Sequence, residues 1–545
     1  MVKFEVGMMT NDWWRGGLIY QVYPRSYMDT NGDGIGDIPG ITQQLDYIAS
    51  LGVDAVWISP FFTSPMKDFG YDVSNFKDVD PMFGTLSDFE ALIDKARTLG
   101  LRVMIDLVLS HSSDQHPWFI ESRSSRTNAK ADWYVWANPK PDGTPPNNWL
   151  SVFGGSAWEW DTKRRQYYLH NFLTCQPDLN FHQPAVRQAL LEVTEFWLKM
   201  GVQGFRLDTV NFYFHDKELR DNPVNDGPPL DNVPESNPYS MQTHVYDITR
   251  PENLGFLEEF RQLLDRYPDT AAVGEMGAEK SYLLIPDYTE RDQRLHMVYT
   301  FRFLNDNFSV DYFRSYLTLL EDNIRDGWAC FAFSNHDVMR AVQRWSPHHP
   351  ELHDDFARML LALITSLRGS LCLYQGEELG LPEAEIAFEQ LQDPYGIRFW
   401  PEFKGRDGCR TPMPWRDAPH GAFTQGKPWL PVPEAHQRRS VETQEQDASS
   451  LLHHYRAFIA WRNNQPTLRS GDIRFVDVAE PLLAFERSEG TDKILCIFNF
   501  SATVQTMELP SDARALTDVP SMTDQTMDGR RLTLKPYDYF YAWVS

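Results

Sequence analysis

The stretch Gly204-Phe205-Arg206-Leu207-Asp208-Thr209-Val210 constrains this chain more than any other. Gly201 and Gly204 mark a loop, and Val202, Phe205 and Leu207 have the apolar character of a core strand. Arg206 and Asp208 stand two residues apart, so on a strand they project to one side. A cation and an anion on one side of a buried strand are costly without a polar task. Alone they would read as a structural ion pair. Three further apolar runs end in the same polar way: Val103–His111, Ala271–Glu275 and Phe331–Asp337. A parallel βα barrel gathers the C-terminal ends of its strands into one pocket. There, the carboxylates of Asp208, Glu275 and Asp337 with His111 and His336 would suit cleavage of a glycosidic bond. One carboxylate attacks or steadies the sugar carbon, a second protonates the leaving oxygen, and donors hold the hydroxyls.

Six segments occur in a telling order: GVDAVWISP (52–60), DLVLSH (106–111), QPDLN (176–180), GFRLDTV (204–210), VGEM (273–276) and SNHD (334–337). Together they resemble the alpha-amylase family, glycoside hydrolase family 13, in its alpha-glucosidase and oligo-1,6-glucosidase branch. The resemblance implies an α/β fold: a TIM (β/α)8 barrel with a loop-rich subdomain inserted after strand 3 and a C-terminal antiparallel β-sandwich. The expected divisions are 1–111 and 176–469 for the barrel, 112–175 for the insert and 470–545 for the β domain.

The chain's 545 residues suffice for several domains, and its net charge of −25 (51 − 76) argues against nucleic acid or an anionic membrane as partner. A neutral oligosaccharide remains the expected partner, for a monomer or weak homo-oligomer. Five scattered cysteines without a C-x-x-C fit a reducing compartment. Met1–Thr10 lacks the apolar run and cleavage site of a secretory leader, and no stretch reaches membrane-spanning length. The expectation is a soluble, cytoplasmic protein.

Along the chain, Leu18–Tyr23 reads as the first strand, Ile41–Leu51 as a helix, Ala55–Ser59 as a strand and Asp88–Leu99 as a helix. Between the first strand and helix lies Asp29-Thr30-Asn31-Gly32-Asp33-Gly34-Ile35-Gly36-Asp37. Oxygen side chains at alternate positions with glycines between them can wrap a hard cation, although such a loop is more often only a turn. By resemblance, Asp29, Asn31, Asp33, Asp37 and the Ile35 carbonyl would hold a structural Ca2+ or Mg2+; no organic cofactor is implied. The same resemblance places Asp68 and Tyr71 around the terminal glucose, with Tyr71 stacked on the sugar face. Phe153 and Phe172 would border it from the insert. An arginine of the motif Gly405–Trp415 would reach its hydroxyls; Arg406 and Arg410 are both candidates, with Arg406 preferred.

Residues 112–175 are rich in Trp, Pro, Asn and Gly and lack a long helical period, and a loop of that length is usually functional. The polar stretch 216–238 follows the nucleophile strand and reads as a mobile loop on the leaving-group side, and 379–410 is a further insert. Leu451–Trp461 reads as the last barrel helix. Ile473–Val476, Leu482–Glu486, Ile494–Phe498 and Tyr537–Val544 read as strands of the last domain.

The implied chemistry is retaining. Asp208 attacks, Glu275 serves as acid and then base, and Asp337 binds the ring hydroxyls of the distorted sugar. Arg206 is expected to keep Asp208 ionised, while Glu275 needs a raised pKa. Thr209 follows the nucleophile; in similar enzymes threonine here accompanies α-1,4 and valine α-1,6 specificity. The expected activity is an exo-acting α-glucosidase on maltose and short oligosaccharides that releases α-glucose and transfers glucose to alcohols. The alternatives are an oligo-1,6-glucosidase, a sucrose- or trehalose-active isomerase or transglucosylase, and, remotely, a non-catalytic relative like a transporter heavy chain. The RLDRF segment of sucrose isomerases is absent, and the three catalytic carboxylates argue against the non-catalytic reading.

Overall fold

The computed structural model describes residues 12–228, 230, 233–278, 280–345, 348–520 and 526–545. The Met1–Thr10 segment considered above as a leader lies outside the described residues, as do Pro229, Asp231 and Asn232 of the stretch 216–238. Eight strands close into a barrel: β1 (Leu18–Val22), β2 (Ala55–Ile58), β3 (Arg102–Leu107), β4 (Gly204–Leu207), β5 (Ala271–Met276), β6 (Met297–Thr300), β7 (Ala329–Ala332) and β8 (Ser370–Tyr374). Each pairs in parallel with the next, and β8 returns to β1. This is the TIM barrel expected from the repeated apolar runs.

Its interior is packed, not hollow. Ile19, Ala55, Trp57, Met104, Ala271, Val273, Met297, Tyr299, Cys330, Ala332 and Cys372 form one buried cluster, and Trp13, Trp14 and Trp328 belong to it. Gly204 is required there: a Cβ would stand 2.3 Å from Met104 Cγ. Helices such as Leu86–Thr98, Pro184–Lys199, Asn253–Leu264 and His353–Ser366 cover the outside. Leu86–Thr98 begins with a capping box, in which Thr85 and Asp88 satisfy each other's backbone donors.

The helix expected at Ile41–Leu51 is instead two short helices, Ile38–Gln43 and Leu45–Ser50. Asp37 is the reason for the early start. Its carboxylate caps Gly40 N–H at 2.7 Å, and a proline occupies the first turn.

After β3 the chain leaves the barrel. The excursion holds one helix, Pro117–Ser124, and a three-stranded antiparallel sheet of Trp136–Ala137, Gln166–Leu169 and Trp158–Asp161. Bridges from His111 to Asp178 and from Tyr134 to Leu179 tie its ends together.

The C-terminal region is a five-stranded antiparallel sheet facing a three-stranded one across Leu482, Leu495, Ile497, Leu532, Leu534 and Phe540. Four strands were foreseen here. Gln505–Glu508, Arg514–Ala515, Thr526–Asp528 and Arg531–Leu534 were missed because they are short and mostly polar. Among the described residues, no helix is long and apolar enough to cross a membrane.

Arg487 bolts this region to the barrel. The side chain is fully buried, and it donates to the carbonyls of Ser366 (2.7 Å), Leu367 (3.0 Å), Leu468 (2.9 Å) and Gly471 (2.6 Å). Removing the guanidinium strands four buried acceptors. Arg487→Met is therefore expected to lower stability by about 3 kcal/mol or more, read as a fall in the urea midpoint. An unchanged midpoint would show that the junction is held by other contacts.

Candidate active site

Strand periodicity decides which side chains enter the barrel. Two residues above the packed layer of Ile19, Met104, Gly204, Val273 and Met297 stand Gln21, Asp106, Arg206, Glu275 and Tyr299. The upper layer of the interior is thus polar, and it lies at the C-terminal mouth. Asp106 is in register with Arg206, and Glu275 with Tyr299.

Arg206 is 1% exposed, and three carboxylates converge on it. Nη1 donates to Asp106 Oδ1 at 2.7 Å and to Asp208 Oδ1 at 2.5 Å. Nη2 donates to Glu275 Oε1, which also accepts from Tyr299 Oη at 2.8 Å. Asp208 and Glu275 therefore flank one guanidinium. Burial pushes Asp106 up to about 6 and both Asp208 and Glu275 up to about 7, with Arg206 pulling the other way in each case. The raised Glu275 matches what an acid requires. Arg206 pulls Asp208 toward its ionised form by charge and hydrogen bonding, as expected, but one cation shared among three buried carboxylates does not outweigh their desolvation.

Thr209 turns the chain directly after Asp208. It sits in the left-handed region at φ 41°, ψ 51°, which a β-branched residue rarely adopts. The turn aims Thr209 N–H at Glu275 Oε2 at 3.1 Å, and Thr209 Oγ1 lies 3.3 Å from Asp208 Oδ2 and 3.1 Å from Ser110 Oγ.

A second group surrounds Asp337. Arg410 Nη2 donates to its Oδ1 at 2.7 Å and Arg406 Nη1 at 3.3 Å. Burial alone would raise Asp337, but His336, Arg410 and Arg406 together hold it well below the usual carboxylate range. Arg406 also donates to Asp68 Oδ1 at 3.0 Å and to Asp393 at 2.7 Å. Both candidate arginines thus reach the site, and Arg406 links Asp337 to Asp68. Burial lifts Asp68 to about 6 against the pull of Arg406, and its other oxygen accepts from Gln176 Nε2 at 3.0 Å.

His336 stacks between Tyr71 and Tyr23, both at 5.6 Å. Its Nε2 lies 2.6 Å from Tyr71 Oη and its Nδ1 2.7 Å from Gln21 Nε2. His111 is 2.9 Å from Ser110 Oγ and 3.0 Å from the Tyr71 carbonyl. Burial lowers His111 to about 4 and His336 to about 3, so both are neutral at pH 7. Each ring nitrogen already faces a protein atom, so a sugar hydroxyl bound to either histidine has to share or displace one. Tyr71 donates to Asp106 at 3.2 Å, with one ring face against His336. Phe153 and Phe172 join an aromatic wall with Phe212 and Tyr395, and the Arg406 guanidinium lies 5.3 Å from the Phe153 ring.

Sequence reasoning passed over Asp106, Tyr299, Gln176 and Asp393. Asp106 and Gln176 stood inside quoted motifs; Tyr299 lies within a strand that carries no acid, and Asp393 lies in an insert without periodicity.

The loop 29–37 is curled by its own hydrogen bonds. Asp29 accepts from Asn31, Gly32 and Gly34 N–H, Asn31 from Asp33 N–H, Asp33 from Ile35 N–H, and Asp37 from Thr30 and Gly40 N–H. Its oxygen-only donor set suits a hard cation. Among the described residues, no group of three or more His, Cys, Asp or Glu is arranged to hold a metal ion.

The description "Alpha amylase, catalytic domain" matches residues 21–471, and "Maltogenic Amylase, C-terminal domain" matches 473–541. A Rhizobium meliloti protein named "Probable alpha-glucosidase" is 60% identical over 503 residues, 92% of this chain and 91% of that one. An oligo-1,6-glucosidase of Heyndrickxia coagulans is 34% identical over 543 residues, 92% of this chain and 94% of that one. The crystal structure of an alpha-glucosyl transfer enzyme, XgtA, is 55% identical with a TM-score of 0.95, covering 98% of this chain and 99% of that one.

The charge layout predicts a narrow pH profile of kcat/KM on an α-glucosyl disaccharide. With Asp208 as an ionised nucleophile, activity would fall as pH drops through its pKa; with Glu275 as a protonated acid, activity would fall as pH rises through its own. With both near 7, the maximum is close to neutrality. Asp106→Asn removes a negative neighbour of Asp208, so the acid limb is expected to move to lower pH. An acid limb that stays in place would contradict this electrostatic account.

Proposed function

Since the chain belongs to the alpha-amylase family and is a glucosidase or transglycosylase acting on glucosidic bonds, we propose that it is a retaining α-glucosidase working through a covalent glucosyl-enzyme. The observation that carries this reading is the pair of carboxylates, Asp208 and Glu275, on one buried guanidinium. A carboxylate of Asp208 forms the bond to the anomeric carbon as the glycosidic bond breaks. Glu275 gives its proton to the departing oxygen. In the second step Glu275 takes a proton from water, which attacks the same carbon, frees Asp208 and releases α-glucose. An alcohol in place of water gives transfer. Retention calls for a carboxyl separation of about 5–5.5 Å, which a pair sharing one guanidinium suits. Asp337, kept ionised by Arg410 and Arg406, is suited to accept from sugar hydroxyls.

Contacts among three loops favour exo action. Ser236 N–H donates to Glu402 at 3.1 Å, and Asn237 reaches both the Val152 carbonyl at 2.9 Å and Tyr395 at 3.2 Å. These contacts join the stretch after β4, the insert after β3 and the insert after β8 over one side of the mouth.

Linkage preference divides the observations. Thr209 favours α-1,4 bonds. The similar proteins named for α-1,6 hydrolysis and for glucosyl transfer favour the other reading, and they outweigh a single residue. Initial rates and product profiles on maltose, isomaltose and sucrose decide between them. Faster maltose hydrolysis supports the first reading; isomaltose preference, or transfer products from sucrose or maltose, supports the second. On the first reading Thr209→Val shifts the rate ratio toward isomaltose, and an unmoved ratio would remove Thr209 as the determinant. Asp208→Asn and Glu275→Gln are each expected to cost at least about a thousandfold in kcat on the preferred disaccharide. Full turnover in either would overturn the assignment.

A structural Ca2+ or Mg2+ on loop 29–37 belongs to the same proposal, held by Asp29, Asn31, Asp33, Asp37 and the Ile35 carbonyl. It would stiffen the loop and take no part in bond cleavage. Added Ca2+ or Mg2+ is then expected to raise the thermal midpoint of the wild type but not of Asp33→Ala. Equal responses in both would place the ion elsewhere.

A further inference from the structure

We propose that Asn211 is a positioning residue for proton transfer by Glu275, an inference that rests on the acid role given to Glu275 above. Asn211 is fully buried, three residues beyond Asp208 in the short turn Val210–Phe212. Its amide nitrogen donates in two directions: to the Gly277 carbonyl at 3.3 Å and to Thr249 Oγ1 at 3.0 Å. Gly277 lies two residues past Glu275, at the end of β5. Thr249 closes the long loop that follows β4, and its own N–H donates back to the Asn211 carbonyl at 2.6 Å. One side chain therefore ties together the nucleophile turn, the acid strand and the loop.

The surrounding geometry shows why such a tie is needed. Thr209 and Thr249 are both β-branched and both left-handed, at φ 41° and φ 56°. Neither conformation is one that threonine keeps unaided. Asn253 holds the next residue of the turn, donating to the Val210 carbonyl at 2.7 Å. The flat surface of Gly274 lets Val210 lie against β5, where a Cβ would stand 2.9 Å from Val210 Cγ1. The turn so fixed presents Thr209 N–H to Glu275 Oε2. It meets the acid's strand twice, once at the Glu275 side chain through Thr209 and once just past the strand's end, at the Gly277 carbonyl, through Asn211. Releasing the second tie lets the turn shift against β5, and Thr209 N–H then no longer holds the Glu275 carboxyl in line with the leaving oxygen.

A leaving group that needs no proton separates this role from a merely structural one. The dinitrophenolate of 2,4-dinitrophenyl α-glucoside departs without acid help; the sugar alkoxide of a disaccharide does not. We expect Asn211→Ala to lower kcat/KM roughly 10- to 100-fold on maltose or isomaltose, whichever the wild type cleaves faster, and less than about threefold on the aryl glucoside. Asn211→Asp keeps the shape, sets a carboxylate against the Gly277 carbonyl, and is expected to show the same split with an alkaline limb moved to higher pH. It decides the matter if the alanine variant does not fold. Thr249→Ser retains the hydroxyl and is expected to behave as wild type. Equal losses on both substrates, or no loss on either, overturn the proposal. Glu275→Gln, run alongside, must itself show the split; without it, the acid assignment fails and not the role of Asn211.

Discussion

The structure depends on one buried cation with too many anions around it. Arg206 sits in the barrel interior with Asp106, Asp208 and Glu275 on its two terminal nitrogens. If all three carboxylates were ionised, the cluster would carry two uncompensated negative charges in a space without solvent. Holding a proton is the less costly state. An ionised nucleophile and a protonated acid are thus two aspects of one electrostatic constraint, with Arg206 setting how many protons the cluster retains. Tyr299 and Thr209 each donate to a Glu275 oxygen, which favours its carboxylate form, so it is burial that holds the proton there.

The pocket's other side is built with the opposite balance. Two arginines, Arg406 and Arg410, meet Asp337, and Arg406 is further braced by the fully buried Asp393. There is cation enough to keep Asp337 ionised. Carboxylates a short distance apart are therefore held in different states by different counts of arginine. The surrounding rings contribute shape: Tyr23 and Tyr71 pack on His336, and Phe153 packs on Phe172 and Tyr395.

Much of this was legible because barrel strands end in short, recognisable segments. Asp208, Glu275, His336 and Asp337 each close an apolar run, and the closed parallel sheet brings those ends together. What escaped was of two kinds. Tyr299 has no distinguishing neighbour in Met297–Thr300, since a buried tyrosine in a strand is ordinary; only its register beside Glu275 gives it a role. Asp393 and the companion strands of the last domain depend on contacts across long loops, which no local period records. The raised pKa of Asp208 was missed for a third reason. Adjacency in R-x-D suggested one pair, whereas the barrel delivers two more carboxylates to the same arginine from β3 and β5.

Chemistry and selectivity draw on different parts of the chain. Glu275 lies within β5, paired with β4 and β6, and Asp208 directly follows β4 with its N–H on the Leu107 carbonyl. The sugar's outline is set by excursions after β3, β4 and β8, which hydrogen-bond to one another, as in Asn148 to Asn222, Trp149 to the Arg220 carbonyl, Asn237 to Tyr395 and Ser236 to Glu402. Loops that lie outside the barrel strands can change length or sequence without disturbing Arg206 and its carboxylates. Thr209 is where the two regimes meet. Its N–H belongs to the acid, its Oγ1 faces the nucleophile and Ser110, and its strained turn begins the loop. A substitution there bears on the acid and on the nucleophile at once.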